Sequence, residues 1–112
     1  MIVWKRGMAL AKAAHLLSRK LPREEDYALA DQIRRSSVSI PSNIAEGYGR
    51  TSTRDYARFL SMARGSGYEL ETQLLLSVDL GYLTANDVSD ALALCREVSK
   101  ILTRILARLA SV

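Results

Sequence analysis

The chain carries one cysteine, two prolines, one histidine and one tryptophan among 112 residues, and each scarcity excludes something. Cys95, alone, can close no internal bridge, so the fold must rest on buried apolar surface, and a reducing compartment is expected. His15 is also alone. Metal sites inside helical bundles use Glu-x-x-His pairs from facing helices, and no such pair occurs. Glu69 and Glu71 are two apart and point to different sides of a helix, so they cannot share acid–base work. Gly47 and Gly49 lack the spacing and the preceding strand of a phosphate cradle. No catalytic residue, metal or cofactor is expected. No run approaches the roughly 20 apolar residues of a membrane span. Charges at Lys5, Arg6 and Lys12 break up the first segment, unlike a secretory leader. A cytoplasmic protein with no membrane partner is expected.

β-alternation, internal repeats and low-complexity tracts are also missing. What remains is helical periodicity. With Pro22, Gly47, Gly49 and Gly81 as punctuation, the chain reads as one domain of four helices, at about 3–20, 24–47, 53–80 and 85–110. The first has Trp4, Met8, Ala11, Leu16 and Leu17 as its expected inner side. The second opens on Glu24, Glu25 and Asp26, acids suited to a helix N-terminus, and continues through Leu29, Ile33, Ile40 and Ile44. Ser52 caps the third, with Asp55 three residues on. The inner stripe there is Tyr56, Phe59, Ala63, Leu70 and Leu74. Thr84 and Asp87 open the fourth. Its series Val88, Ala91, Cys95, Val98, Leu102, Ile105 and Leu109 steps by three and four, the pattern of a bundle seam. Cys95 is therefore expected as a small core residue. Short loops make long neighbouring helices antiparallel, so the expected fold is all-α, an up-and-down antiparallel four-helix bundle. Leu94, Ile101, Leu106, Leu75 and Leu76 lie outside the main seams. They mark either self-association or a broad inner face.

Pro41 falls inside the second helical pattern. Ile33, Ile40 and Ile44 stay in phase across it, which favours one kinked helix over two. An interior proline loses a hydrogen bond and costs roughly 3 kcal/mol. Ser36, Ser37 and Ser39 offer hydroxyls to the freed backbone groups. Arg35, Ser39, Asn43 and Glu46 share a face beside the isoleucine stripe. Ser66, Glu69 and Gln73 do the same on the third helix. The expectation is a structural polar layer in which Asn43 and Glu46 pair with groups around Ser66 and Glu69, and Arg35 neutralises a carboxylate. A small-molecule or anion pocket is the competing reading. Gly65 and Gly67 suggest that another backbone or side chain comes close to the third helix.

These residues also carry a resemblance. SVSIPSNIAEGYGR (37–50), with QIRR before it and GSGYELET (65–72) and LGYL (80–83) after it, resembles the four-helix-bundle family of 23S rRNA intervening-sequence proteins. Gly67 and Tyr68 depart from the family's usual pair. The resemblance implies a bacterial up-and-down bundle that assembles as a ring-shaped homopentamer. It also implies a distant relation to the accessory protein of diversity-generating retroelements, a basic pentamer that binds a reverse transcriptase and nucleic acid. Gln32, Arg35, Ser39, Pro41, Asn43, Glu46, Gly47, Ser66, Glu69 and Glu71 are the positions that match family motifs.

The net charge is +4, but its distribution says more. Residues 1–23 hold six cations and no acid, and no acid follows Glu97. Arg96, Lys100, Arg104 and Arg108 recur every four residues, as do Arg50, Arg54 and Arg58. Each set forms a slanted ridge able to meet phosphates, although charge runs are commonly just solvated faces. The expected function is a non-enzymatic homo-oligomer that associates with RNA through Lys5, Arg6, Arg96, Lys100, Arg104 and Arg108. The alternative is a scaffold or adaptor for a protein partner.

Overall fold

A computed structural model describes residues 1–111. It comprises α1 (Ile2–Ser18), a 3₁₀ turn (Arg23–Glu25), α2 (Leu29–Tyr48), α3 (Thr53–Asp79) and α4 (Ala85–Ala110), with no strand among the described residues. The helices pack in cyclic order, α1 on α2, α2 on α3, α3 on α4 and α4 on α1. Every neighbouring pair is antiparallel, as the cross-links show. His15 lies by Ser37 and Ser36 by Gln73. Arg64 meets Thr103 and Lys20 meets Asp87. The result is a rod of 46 × 23 × 19 Å.

Local chemistry sets each boundary. The Ser52 hydroxyl accepts from the Asp55 amide, and Thr84 and Asp87 form a reciprocal capping box. Lys20 from the end of α1 closes on Asp87 at 3.1 Å. The backbone and hydroxyl of Thr84 and the Lys20 ammonium together hold the Asp87 carboxyl below its usual range. α3 ends where Gly81 adopts φ +81°. The Tyr82 amide then bonds the Ser77 carbonyl and the Gly81 amide bonds Val78, a Schellman closure that favours glycine.

α2 begins later than its acids suggested. Glu24, Glu25 and Asp26 are spent on the 3₁₀ turn that follows Pro22, and regular helix starts at Leu29. The Glu25 carboxylate accepts from the Leu29 amide at 3.3 Å, so it caps the helix from outside. It also takes the Tyr82 hydroxyl at 2.9 Å, which ties the α3–α4 loop to this turn and raises the Tyr82 pKa. Arg34 donates to the Asp26 carbonyl at 2.7 Å. Beyond that start, α2 runs unbroken through Pro41. Ser36 and Ser37 turn their hydroxyls back to the carbonyls of Ile33 and Arg34, not to the Ser37 carbonyl that the proline leaves unpaired.

The core holds Leu10, Ile33, Ile40, Ile44, Leu60, Leu70, Leu74 and Leu102, all fully buried. Each such side chain contributes roughly 1.5–3 kcal/mol of burial. The inner side of α1 differs from the expected one. Trp4, Met8 and Leu16 are exposed, whereas Val3, Gly7, Leu10, Ala11, Ala14 and Leu17 face inward. Small residues on that face let α1 come close to Pro41 and Ile40. On α4, Leu94, Ile101 and Leu106 pack against the core as a broad inner face, while Leu75 and Leu76 of α3 stay exposed. Close helix approach occurs at Gly47, where an added Cβ would lie 2.9 Å from the Phe59 Cβ. Apart from the helix's own nearby backbone, nothing lies within 4 Å of a Cβ placed at Gly65 or Gly67, so neither marks the tight approach expected there.

Candidate nucleic-acid interface

A shallow, open groove of about 370 Å³ between α3 and α4 is lined by Tyr68, Glu71, Arg96, Ser99, Lys100, Thr103 and Arg104. The antiparallel register explains this set. Glu71 meets Arg96 and Arg64 meets Thr103, so Tyr68 falls opposite Ser99. Three of the six cations singled out from sequence therefore converge here. The others do not. Arg6 is held by Glu97 of α4 at 3.2 Å, and Lys5 and Arg108 are exposed outside this groove. Within the groove the restraints on charge are weak. Arg96 lies 3.5 Å from Glu71, with its own side chain largely exposed. Arg64 gives one hydrogen bond to the Thr103 hydroxyl at 3.1 Å. Exposed ion pairs of this kind contribute only about 0–1 kcal/mol, so the cations are available to another anion. Ser99 and Thr103 add hydroxyls, and Tyr68 adds an aromatic ring.

The second basic ridge is differently placed. Arg50 and Arg58 stack their guanidinium groups on the Phe59 ring, at 4.6 and 4.5 Å from its centroid. Arg50 also pairs with Glu46 at 2.9 Å, and Arg58 lies 3.8 Å from Asp55. Arg54 is exposed. This ridge covers an aromatic residue at the α2–α3 end of the bundle.

A further groove, of about 320 Å³, lies between α2 and α3 and is lined by Gln32, Arg35, Ser36, Ser39, Ser66, Glu69 and Gln73. Ser39 and Ser66 share a hydrogen bond at 2.8 Å, and Asn43 donates to both the carbonyl and the hydroxyl of Ser39. The deeper link is Ser36 to Gln73 at 2.7 Å, with both residues buried. The other expected members go elsewhere. Glu46 bonds Arg50 just beyond the end of α2, and Arg35 bonds Asp31, each four residues away and exposed to solvent. In each case an opposite charge four positions along the chain takes the side chain, at 2.9 Å. Glu69 lines the groove but joins no bond among the described residues. Ser39, Asn43 and Ser66 thus come together, while Arg35, Glu46 and Glu69 do not join them.

No group of three or more His, Cys, Asp or Glu side chains able to hold a metal occurs among the described residues. Burial, and secondarily the Glu71 carboxylate, pushes the Cys95 thiol up to about 12, so it carries almost no thiolate at neutral pH. His15 turns its Nδ1 to the Ala11 carbonyl at 2.9 Å. Among the described residues no helix is long and apolar enough to cross a membrane.

Residues 1–104 match the family described as 23S rRNA-intervening sequence protein. The fold is similar to the crystal structure of a protein of unknown function from the S23 ribosomal protein family of Bacteroides thetaiotaomicron VPI-5482. The TM-score is 0.87 at 26% identity, over 93% of this chain and 97% of that one. No curated protein matches.

Proposed function

The chain belongs to the family of 23S rRNA-intervening sequence proteins, and on that premise we propose that it is a non-catalytic bundle that associates with RNA through the α3–α4 groove. One observation carries this reading: Arg96, Lys100 and Arg104 converge with the hydroxyls of Ser99 and Thr103 on one concave surface. Cations recurring along a helix bind phosphates irrespective of sequence, and hydroxyls add backbone or sugar contacts. The test is fluorescence anisotropy with labelled RNA across a salt series. Three phosphate contacts per protomer correspond to a log–log salt slope of about −2 for single strands. Reversing Arg96, Lys100 and Arg104 to Glu weakens binding about 100-fold or more, with helix content unchanged. Binding that ignores the reversal would refute this placement.

Self-association is the accompanying proposal, with a homopentameric ring as the assembly that the family resemblance implies. It is supported by exposed apolar surface that the bundle itself does not cover. Met1, Trp4, Ala45 and Tyr48 line a shallow groove between α1 and α2, and Leu75, Leu76 and Leu80 lie about half exposed on and just beyond α3. A ring would repeat the modest charge of each protomer around one axis. Light scattering at micromolar concentration decides this; a monomer would rule out the ring. A protein partner on the same apolar surface is the competing occupant, and it would co-purify after nuclease treatment.

A further inference from the structure

Aromatic and basic residues do not interleave along the chain, yet the fold places one aromatic ring among the cations. Tyr68 comes from α3, and Arg96, Lys100 and Arg104 come from α4, and all four line the same groove. The Tyr68 side chain is 51% exposed. Among the described residues its hydroxyl has no bond, and Thr72 bonds only its carbonyl. The other tyrosines are placed differently. Tyr82 is tied to Glu25, Tyr56 is half-buried, Tyr48 lies in the α1–α2 groove, and Tyr27 projects from the loop before α2.

From this placement we infer that the groove takes single-stranded RNA, with an unpaired base stacked on Tyr68 and the flanking phosphates on Arg96, Lys100 and Arg104. This rests on the reading of the groove as an RNA surface, and it names the form of RNA. Two physical points carry it. An exposed ring beside three cations satisfies both halves of single-strand recognition, a π-face for any base and an electrostatic track for the backbone. A duplex can use only the second half. Its bases are paired and stacked on one another, so none offers a free face to the ring. The cations alone would bind either form, so the ring is what separates them. Recognition by stacking is sequence-tolerant, because every base offers a π-face to the ring.

The experiment compares a labelled single-stranded 12-mer with the same sequence in a duplex, at one low salt concentration. Tyr68→Ala weakens single-strand binding roughly 5- to 150-fold, the range for loss of one stacked base, and leaves duplex binding and the salt slope unchanged. Tyr68→Phe keeps wild-type affinity, since the ring and not the hydroxyl is used. Trp4→Phe combined with Tyr68→Trp gives a reporter whose emission is quenched by the single strand and not by the duplex. Equal losses for both RNA forms, or no loss with Tyr68→Ala, would overturn the stacking inference while leaving the groove as an RNA surface. Failure of the wild type to bind either RNA would overturn the reading of the groove and this inference with it.

Discussion

The grooves on the two sides of α3 are built from similar parts and differ in where their polar groups point. Between α2 and α3, side chains bond across the helices: Ser36 to Gln73, and Ser39 to Ser66 with Asn43 behind it. Between α3 and α4, the charged groups have one exposed pair and one single hydrogen bond to share. A polar group satisfied inside the fold fixes the register of two helices and has little left for a ligand. A charged group loosely held at the surface contributes little to stability and keeps its field for a partner. The first groove therefore serves folding, and under the proposed function the second serves recognition, although sequence spacing alone left a binding pocket as the competing reading of the first.

The largest expected effects break the comparison on the α2–α3 side. Gln73→Leu leaves the buried Ser36 hydroxyl with only its 3.4 Å contact to the Ile33 carbonyl, and such a deficit costs about 1–3 kcal/mol. Chemical denaturation should show that loss while RNA affinity stays at wild type. A matched fall in RNA affinity at temperatures where the variant is folded would mean the two grooves are not separable. Gly47→Ala tests the same seam by shape. Its Cβ would sit 2.9 Å from the Phe59 Cβ and 3.3 Å from the Tyr56 carbonyl oxygen. Overpacking of this kind costs about 1–3 kcal/mol, despite alanine being the better helix former. Unchanged stability would show that α2 and α3 leave room for a methyl group at Gly47.

The opposite sign is expected at Gly65. Beyond the helix's own nearby backbone no atom lies within 4 Å of a Cβ placed there, so Gly65→Ala gains helix propensity without a clash, worth about 0.8–1 kcal/mol. A melting temperature that falls would mean that something absent from the lone protomer, a second copy for example, needs that space.

The contrast between Gly47 and Gly65 also shows what the sequence made legible. Rules that act within one helix read through well. Ser52 and Thr84 cap as their spacing implied, α2 passes through Pro41 in phase, and the three–four series of α4 runs through the seam. Rules that act between helices did not. Helical glycines mark either close approach or nothing, and only the neighbour decides which. Bulky Trp4 and Met8 looked like core because they are apolar, but the inner face of α1 needs the small Gly7, Ala11 and Ala14. Asn43 found its partner, Ser39, on its own helix, whereas Glu46 and Arg35 were captured by charges four positions away. Tyr68 was invisible as a site residue because its cationic neighbours lie some thirty positions further on, brought beside it only by the antiparallel register of α3 and α4.

The smallest effect sharpens the recognition side. Glu71 lies in the α3–α4 groove, 3.5 Å from Arg96, and its carboxylate opposes any incoming phosphate. Glu71→Gln keeps the shape of the side chain, removes one negative charge and frees Arg96. RNA affinity should rise about 2- to 5-fold at low salt, the scale of one exposed charge interaction. The gain should shrink as salt is raised, because the Debye length falls to roughly 8 Å at physiological ionic strength. Stability should stay within about 0.5 kcal/mol. The direction is the informative part. A groove that binds phosphate improves when its only acid is neutralised. A groove in which the Arg96–Glu71 pair merely joins two helices loses stability and gains no affinity, and that result would return the α3–α4 surface to the same structural class as its neighbour.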